Sequence, residues 1–433
     1  MLFKNITILD EDLAVRENMY VGTKDDRIDY IGAEEPGKDY GDIIDGKDRC
    51  LMSGFVNAHG HSPMTLMRGY GEDMTLQDWL FGKIFPYEDH LDSEGIYSAT
   101  MLAIAESLKN GIVSTSDMYF FCDDMARAYE ESGAKGNICR SISIMDDAPL
   151  LSAAPAREAK ELFEEYDGAA DGKIRIDMCI HAEYTNSESA VRQLADLAKE
   201  LGAGMQVHVS ETKKETEECI GRHGVTPTVF LNNAGLFDTR TTAAHCVWLN
   251  DEDFQILKEK NVYIAVNPIS NLKLASGVAN VPKMMEMGIN VCIGTDSVAS
   301  NNSLDFIEEM KMFAIAPKMQ YGDPSKMKVR QVLAAATRGG ALSQGRGDCG
   351  MLKEGMKADL IMLDTSGCHM HPLHSLENNI IYSADGSDIV MTMVDGEVLY
   401  KDGEFTTIDI EKAIYGTEKG NERILSKLQE SEV

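Results

Sequence analysis

The spacing of apolar residues changes twice along the chain. The first segment alternates apolar and charged positions, with Gly and Asp between the apolar groups, which predicts short strands joined by turns. Its apolar positions are Leu2, Ile6, Ile8, Tyr20, Val21 and Ile28 to Ile31. From Phe55 onward, short apolar runs are each followed by a segment of helical period. After about Gly345 strand-like runs return, at 358–363 and 389–394.

The middle region repeats one strand-then-helix unit. Ser93 is a candidate N-cap, and the apolar positions from Ile96 to Leu108 follow the helical period until Gly111. The strand-like run Ile112 to Thr115 comes directly afterwards. Further strands are predicted at 174–180, 205–209, 242–247, 262–266 and 289–293, with a helix from Ala190 to Leu201. Strands alternating with helices indicate a parallel sheet.

So many units favour an α/β fold closed into a (β/α)8 TIM-like barrel over residues 56–345. A doubly wound open sheet is the alternative, but no GxGxxG turn follows the first strand and no Walker lysine is present. The segments 1–55 and 346–433 are expected to form one small composite domain, β-sandwich-like, beside the barrel. Within it, residues 410–433 have the period of a terminal helix.

Composition narrows the classes of partner. The chain of 433 residues is 43% hydrophobic and 26% charged, and its formal net charge is −30. This charge disfavours binding to nucleic acid or to an anionic membrane surface. No apolar window reaches the ~18 residues of a membrane helix, and no signal-peptide core precedes the first strands. We therefore expect a cytoplasmic location, where the nine cysteines, none in a CxxC pair, remain reduced.

Polar residues that could carry chemistry stand at the ends of the predicted strands. Two of them, His59 and His61, share one face of a strand and can reach the same ion. The other candidates are His208, Glu211, His245 and Asp296. Taken singly, each has an ordinary structural explanation, such as a helix cap for Asp296 or a hydrogen-bonded buried imidazole for His245.

Taken together, these residues predict a metal site at the mouth of the barrel. Three imidazoles and a carboxylate form a donor set suited to one divalent cation, Zn²⁺ first and Fe²⁺ as the alternative, with a position open for water. A second metal bridged by a carboxylated lysine would need a lysine on the middle strand, but the run ending at His181 carries Cys179 and Ile180 there. We therefore expect one ion.

At this point the sequence resembles the amidohydrolase superfamily, in particular the S-adenosylhomocysteine, methylthioadenosine and adenosine deaminases allied to chlorohydrolases. The matching stretches are GFVNAHGHSPMTLMRG (54–69), DWLFGKIFPYE (78–88), HAEYTNS (181–187), HVSET (208–212), AHCVWL (244–249), NPISNLKLASG (267–277), GTDSVASNNSLD (294–305) and GMKADLIMLD (355–364). Their order and spacing are highly specific, and they cover nearly the whole chain.

The resemblance implies a role for each matching residue. It implies that His59, His61, His208 and Asp296 hold the metal. Glu211 would protonate a purine ring nitrogen, and His245 would orient the attacking water while Asp296 takes its proton. Glu88 and His181 match positions that hold ribose hydroxyls, and Trp79 would line the pocket. The implied reaction is hydrolytic deamination of an adenine ring with release of ammonia.

The sequence says less about which group the substrate carries on its ribose 5′ carbon. Relatives that accept S-adenosylhomocysteine bind its carboxylate with arginines, and Arg140 and Arg157 are the candidates for that role here. Each could instead be structural, Arg140 in an ion pair and Arg157 on a helix surface. The acidic pair Asp146 and Asp147 would oppose an anionic tail.

Two other functions compete with a deaminase of an adenosine-type nucleoside. One is an aminohydrolase or chlorohydrolase of another nitrogen heterocycle, such as guanine, a pterin or a triazine; Glu88 and His181 argue against it because they suit a ribose. The other is a non-catalytic purine-binding barrel, which we expect to lack a ligand or Glu211. The sequence does not give the oligomeric state; relatives are often dimers or larger, so the resemblance is compatible with a homo-oligomer.

Overall fold

The computed structural model describes residues 1–431. The two ends of the chain meet in one mixed sheet of nine strands. Its strands are β1 (Leu2–Leu9), β2 (Val15–Lys24), β3 (Arg27–Gly32), β4 (Ile43–Asp45), β5 (Arg49–Ser53), β15 (Leu360–Asp364), β16 (Ile389–Val394), β17 (Glu397–Lys401) and β18 (Glu404–Phe405). Strands β5 and β15 pair antiparallel and so join the N-terminal strands to the C-terminal ones. The side chains of Phe3, Ile8, Leu51, Leu360 and Met391 are fully buried and form the centre of this sheet's core.

Between these ends lie nine strands that pair only in parallel. They are β6 (Phe55–Gly60), β7 (Ile112–Tyr119), β8 (Lys135–Arg140), β9 (Ile174–Ile176), β10 (Met178–Ala182), β11 (Met205–Val209), β12 (Thr241–His245), β13 (Tyr263–Val266) and β14 (Asn290–Ile293). They form a sheet in the order β6-β7-β8-β9 and another in the order β10-β11-β12-β13-β14. Parallel pairing in chain order with helical crossovers gives a TIM-barrel-type α/β fold.

Hydrogen bonds connect these two parallel sheets at both edges. At one edge the His181 amide of β10 donates to the carbonyl of Ile142, which follows β8, at 2.9 Å. At the other edge the Asp296 amide donates to the His59 carbonyl at 3.0 Å, and Gly60 and Asp296 form a parallel bridge. The carboxyl ends of the parallel strands, and the residues that follow them, therefore lie on the same side of the two sheets.

Helices cover the strands. They are α1 (Leu76–Trp79), α2 (Phe85–Glu88), α3 (Ser93–Lys109), α4 (Cys122–Ser132), α5 (Ala154–Tyr166), α6 (Ala169–Gly172), α7 (Glu188–Leu201), α8 (Lys213–His223), α9 (Pro227–Asn233), α10 (Asp251–Glu259), α11 (Pro268–Lys273), α12 (Val281–Glu286), α13 (Phe306–Tyr321), α14 (Val329–Ala334), α15 (Gly340–Ser343), α16 (Leu376–Tyr382) and α17 (Ile410–Ser431). A π-helical turn, Leu80–Ile84, joins α1 to α2, and a second, Ala335–Gly339, joins α14 to α15. Short 3₁₀ turns lie at Ser62–Met67, Leu150–Ser152, Glu183–Thr185, Leu236–Asp238, Cys368–Met370 and Gly386–Asp388.

Most elements agree with the apolar pattern, with two corrections. Helix α3 is capped by Asp92, whose side chain accepts from the Gly95 amide, and Ser93 is its first residue. The predicted strand 174–180 is interrupted at Asp177, whose buried carboxylate binds Arg240. The predicted terminal helix is α17, and positions 432 and 433 lie outside the described residues. The division into two domains near residues 55 and 346 stays a prediction.

A buried ion cluster joins the parallel strands to the terminal sheet. Lys135 of β8 is 2% exposed, and its Nζ lies 2.5 Å from Asp359 Oδ2 and 2.6 Å from Asp395 Oδ1. Asp359 directly precedes β15 and Asp395 directly follows β16. Since an uncompensated buried charge is costly, all three residues must stay together in the folded chain.

No helix within residues 1–431 is long and apolar enough to cross a membrane. The cysteines are all unpaired, and Cys368 is the exposed one among them. The cytoplasmic location and the homo-oligomeric state stay predictions.

Candidate metal centre and active site

The six candidate residues of the mouth come from four different strands. His59 lies in β6 and His61 one residue beyond it, His208 lies in β11, and His245 ends β12. Glu211 follows β11 and Asp296 follows β14. Parallel strands end on the same side, so these side chains meet although they are far apart in sequence.

The four predicted metal ligands converge on one point. Asp296 Oδ1 lies 3.3 Å from His61 Nε2 and 3.7 Å from His59 Nε2. His208 Nε2 lies 3.4 Å from His61 Nε2. Donor atoms of His59, His61 and Asp296 all lie within 4.8 Å of one another, as do those of His59, His208 and His245.

The outward nitrogens of two of these imidazoles are held by backbone carbonyls. His61 Nδ1 lies 2.6 Å from the Met118 carbonyl, and His208 Nδ1 lies 2.7 Å from the His181 carbonyl. A carbonyl only accepts, so each Nδ1 carries the proton and each Nε2 presents a lone pair to the centre. His59 Nε2 is buried there without a hydrogen-bond partner. Unpaired lone pairs beside a carboxylate fit a divalent cation.

Hydrogen bonds and backbone conformation fix Asp296. Its Oδ2 accepts from Ser270 Oγ at 2.6 Å and from Ser300 Oγ at 3.1 Å, which leaves Oδ1 toward the imidazoles. Burial disfavours its ionised form, but the neighbouring imidazoles, His61 first among them, hold the pKa of Asp296 well below its usual range. Asp296 and His245 both have positive φ, 59° and 70°. Strained backbone of this kind concentrates at functional sites.

Glu211 and His245 face each other beside the predicted metal point. Glu211 Oε2 lies 3.8 Å from His245 Nε2, and Glu211 Oε1 accepts from Ser276 Oγ at 3.4 Å. His245 Nδ1 lies 2.8 Å from Asn271 Oδ1, which orients the ring. Burial raises the pKa of Glu211, which favours its protonated form relative to that of an exposed carboxyl group.

A cavity, here called the reaction cavity, opens at these residues. Trp79, Glu88 and His181 line it together with five of the six mouth residues, namely His61, His208, Glu211, His245 and Asp296. Glu88 Oε1 accepts a 2.7 Å hydrogen bond from Tyr119, and burial raises the pKa of Glu88 to about 7. Burial, followed by the nearby imidazoles, lowers the pKa of His181 to about 4. The cavity is therefore lined by ionisable groups together with apolar side chains such as Leu80 and Ile84.

Neither of the two arginines proposed for a substrate carboxylate lines the reaction cavity. Arg140 lines a second cavity outside the first and pairs with Glu158 at 2.8 Å. Arg157 is exposed on α5, and its Nη1 donates to the carbonyls of Leu151 and Ser152. Arg157 lines neither cavity.

The sequence reasoning did not single out several residues that position the site. Tyr119 binds Glu88, and Ser270 and Asn271 orient Asp296 and His245. Tyr119 ends β7, so its position at a strand end was a usable signal. Ser270 and Asn271 lie in the quoted stretch NPISNLKLASG, within α11, but no spacing rule distinguishes them from the other residues of that stretch. His369, His371 and His374 are exposed and form no described metal cluster.

Comparison with known proteins places the chain in a family. The Amidohydrolase family profile matches residues 50–399. The chain is 38% identical over 431 residues to a 5-methylthioadenosine/S-adenosylhomocysteine deaminase of Acetivibrio thermocellus, covering 98% of this chain and 99% of that protein. It is also 38% identical to a 5'-deoxyadenosine deaminase of Methanosarcina barkeri, covering 98% of this chain and 97% of that protein.

A solved structure agrees with the sequence relatives. An adenosine deaminase from Xanthomonas campestris with bound zinc superposes with a TM-score of 0.91 at 29% identity, covering 98% of each chain. The resemblance seen in the sequence motifs is thereby confirmed. The chain belongs to the Amidohydrolase family.

Proposed function

We propose that this chain is a hydrolytic deaminase that converts the 6-amino group of an adenosine-type nucleoside to a 6-oxo group and releases ammonia. The observation that carries the proposal is the convergence of three histidines and Asp296 beside the buried acid Glu211 in one cavity. The activities named for the relatives at 38% identity support this substrate class.

The centre is proposed to hold one divalent cation, Zn²⁺, through His59, His61, His208 and Asp296. A cation there lowers the pKa of water enough to make it a nucleophile at neutral pH. The orphaned Nε2 of His59 and the carbonyl-bound Nδ1 atoms of His61 and His208 support this assignment. The zinc in the related Xanthomonas campestris deaminase supports the choice of metal.

Glu211 is proposed to protonate the ring nitrogen next to the carbon that bears the amine. That carbon becomes electrophilic only when its neighbouring nitrogen is protonated, so an acid must lie close to it. Burial raises the pKa of Glu211, which favours the protonated form that this step needs. The contact with Ser276 holds the carboxyl group in the cavity.

His245 and Asp296 are proposed to act on the attacking water. Asn271 contacts Nδ1 of His245 and fixes the ring. Nε2 of His245 can then orient a water molecule that lies between this ring and the other mouth residues. Asp296 has one oxygen on two serine hydroxyls and the other among the imidazoles, and this second oxygen can accept the water's proton. The same proton can then be passed on to the departing amine.

Glu88 and His181 are proposed to bind the ribose hydroxyls, with Trp79 as an apolar wall. Glu88 and His181 both line the reaction cavity with the mouth residues. A carboxylate that accepts from hydroxyls gives specificity for a sugar, because an analogue without them leaves a buried acceptor unpaired.

The edge contacts of the two parallel sheets support a further proposal, that the strands from β6 to β14 close into one barrel.

Ammonia release from zinc-loaded protein tests the function. The substrates are adenosine, methylthioadenosine, S-adenosylhomocysteine, guanine and a triazine. We expect release from the adenosine-type nucleosides with the absorbance change of adenine to hypoxanthine. Release only from guanine or the triazine would replace this proposal with the second enzyme class, and release from none would favour the non-catalytic barrel.

A further inference from the structure

A second cavity continues the reaction cavity outward. The two cavities share Phe85, Glu88, Phe120, Ser141 and Ser143 as lining residues. Glu88 thus stands at the junction, with the mouth histidines on one side and this second space, here called the outer cavity, on the other. If Glu88 holds the ribose, as proposed above, a group attached to the ribose 5′ carbon has the outer cavity to extend into.

The outer cavity is strongly acidic. Besides Glu88, its lining carboxylates are Asp89, Asp123, Glu158, Glu161 and Glu165. Burial and the neighbouring carboxylates, Glu165 first among them, raise the pKa of Asp123. Among the residues that line this cavity, Arg140 is the one cation. The negative electrostatic potential of these carboxylates therefore disfavours binding of an anion, unless the Arg140 guanidinium can form an ion pair with it.

Arg140 is already engaged. Its Nε donates to Glu158 Oε2 at 2.8 Å, its Nη1 donates to the carbonyl of Ser141, and its guanidinium lies 4.9 Å from the ring centre of Phe120. The Arg140 side chain is 15% exposed, whereas that of Glu158 is 52% exposed. The guanidinium is thus fixed in the cavity wall, and its charge is balanced by a carboxylate of the same cavity.

We propose that the outer cavity selects adenosine-type nucleosides whose 5′ substituent carries no negative charge, and that Glu158 is a specificity-determining residue because it neutralises Arg140. The inference rests on the proposed deaminase function. It narrows the substrate class to nucleosides with small neutral 5′ groups, such as a methyl or alkylthio group, over those that end in a free carboxylate.

A matched pair of probes isolates charge from shape. One is adenosine with a 5′-carboxymethylthio group, and the other carries the corresponding carboxamide. At low ionic strength we expect kcat/KM for the amide to exceed that for the carboxylate by about tenfold or more, the scale of one unpaired charge near the surface of a protein. The difference should shrink in 0.5 M salt because screening weakens it.

Equal kcat/KM values, or a preference for the carboxylate, would overturn the inference while leaving the deaminase function intact. Loss of ammonia release from both probes and from methylthioadenosine would instead refute the function on which it rests. The two failures are therefore distinguishable in one assay.

The variant Glu158→Gln tests the named residue. Removing its charge frees Arg140, so the carboxylate-to-amide ratio of kcat/KM should rise about tenfold over that of the native chain. Glu164→Gln is the matched control, because Glu164 lies on the same helix, pairs with Lys160 and does not line the outer cavity. A ratio in Glu158→Gln equal to that in Glu164→Gln, with both variants folded by circular dichroism, would remove Glu158 from the proposal.

Discussion

The Nε2 atoms of His61 and His208 lie 3.4 Å apart although 147 residues separate them in sequence. Both rings carry their proton on Nδ1, because each Nδ1 faces a backbone carbonyl. Two lone pairs pointed at each other gain nothing from their proximity. The cation proposed above would be shared between them and would also give the orphaned Nε2 of His59 a partner.

Removal of a single imidazole should lower metal content. For His61→Asn or His208→Asn we expect less than stoichiometric zinc by elemental analysis after dialysis, and turnover reduced by roughly 10² or more. His374→Asn is the control, because His374 is exposed and belongs to no described metal cluster. Full zinc occupancy in both ligand variants would contradict the assignment.

Replacement of the buried acid should separate catalysis from metal binding. Glu211→Gln keeps the shape of the side chain but cannot supply the proton, so turnover should fall by ~10² or more while zinc content stays near that of the native chain. Glu217→Gln, at an exposed position of α8, serves as the comparison. An unimpaired Glu211→Gln variant would refute the role given to Glu211.

The pH dependence of kcat/KM should report Glu88. Its pKa is raised to about 7 by burial, so it is a carboxylate above that pH and becomes protonated as the pH falls below it. A protonated carboxyl is a poorer acceptor for ribose hydroxyls, so kcat/KM should decrease below about pH 7. Glu88→Gln should have a lower value at pH 8, by about tenfold, and should lack this decrease. An identical acid limb in the variant would assign it to another group.

The buried lysine between the sheets should be needed for stability. Lys135→Met leaves the carboxylate of Asp359 without its cation and leaves Asp395 with its 3.3 Å contact to Lys357, and this should lower the free energy of unfolding by about 3–5 kcal/mol. Chemical denaturation measures the loss. Lys160→Met, which removes an exposed ion pair, should change it by less than about 1 kcal/mol. A similar effect of both substitutions would mean that the buried cluster contributes little.

One glycine beside the metal ligands should not tolerate a side chain. A Cβ at Gly294 would lie 2.3 Å from Asn267 Oδ1 and 2.9 Å from the Cβ of His59. Gly294→Ala should therefore displace His59, weaken zinc retention and lower the melting temperature. At Gly347 a Cβ meets nothing within 4 Å, so Gly347→Ala is the control. Native zinc retention in Gly294→Ala would show that the loop adapts.

The ends of the strands could be predicted from the sequence, because each short run of apolar residues stops at a polar residue. The run 205–209 is strand β11 as predicted, and His208 lies at its end. Interactions between distant residues could not be predicted in this way. Asp177, where the predicted strand is interrupted, pairs with Arg240, 63 residues away, and Arg140 pairs with Glu158 on the wall of the outer cavity. Such pairings are set by tertiary packing, which leaves no local period in the sequence.

The amide of Asp296 donates to the carbonyl of His59 where the first and last parallel strands meet. The same two residues would hold the cation through their side chains. The backbone hydrogen bond and the proposed ion therefore connect β6 and β14 at the same place. An ion bound there would hold the first and the last of the parallel strands together. Removal of the ion should weaken the contact between β6 and β14 before other parts of the molecule unfold. The backbone amides of these two strands should then exchange hydrogen faster at conditions where the rest of the chain is still folded.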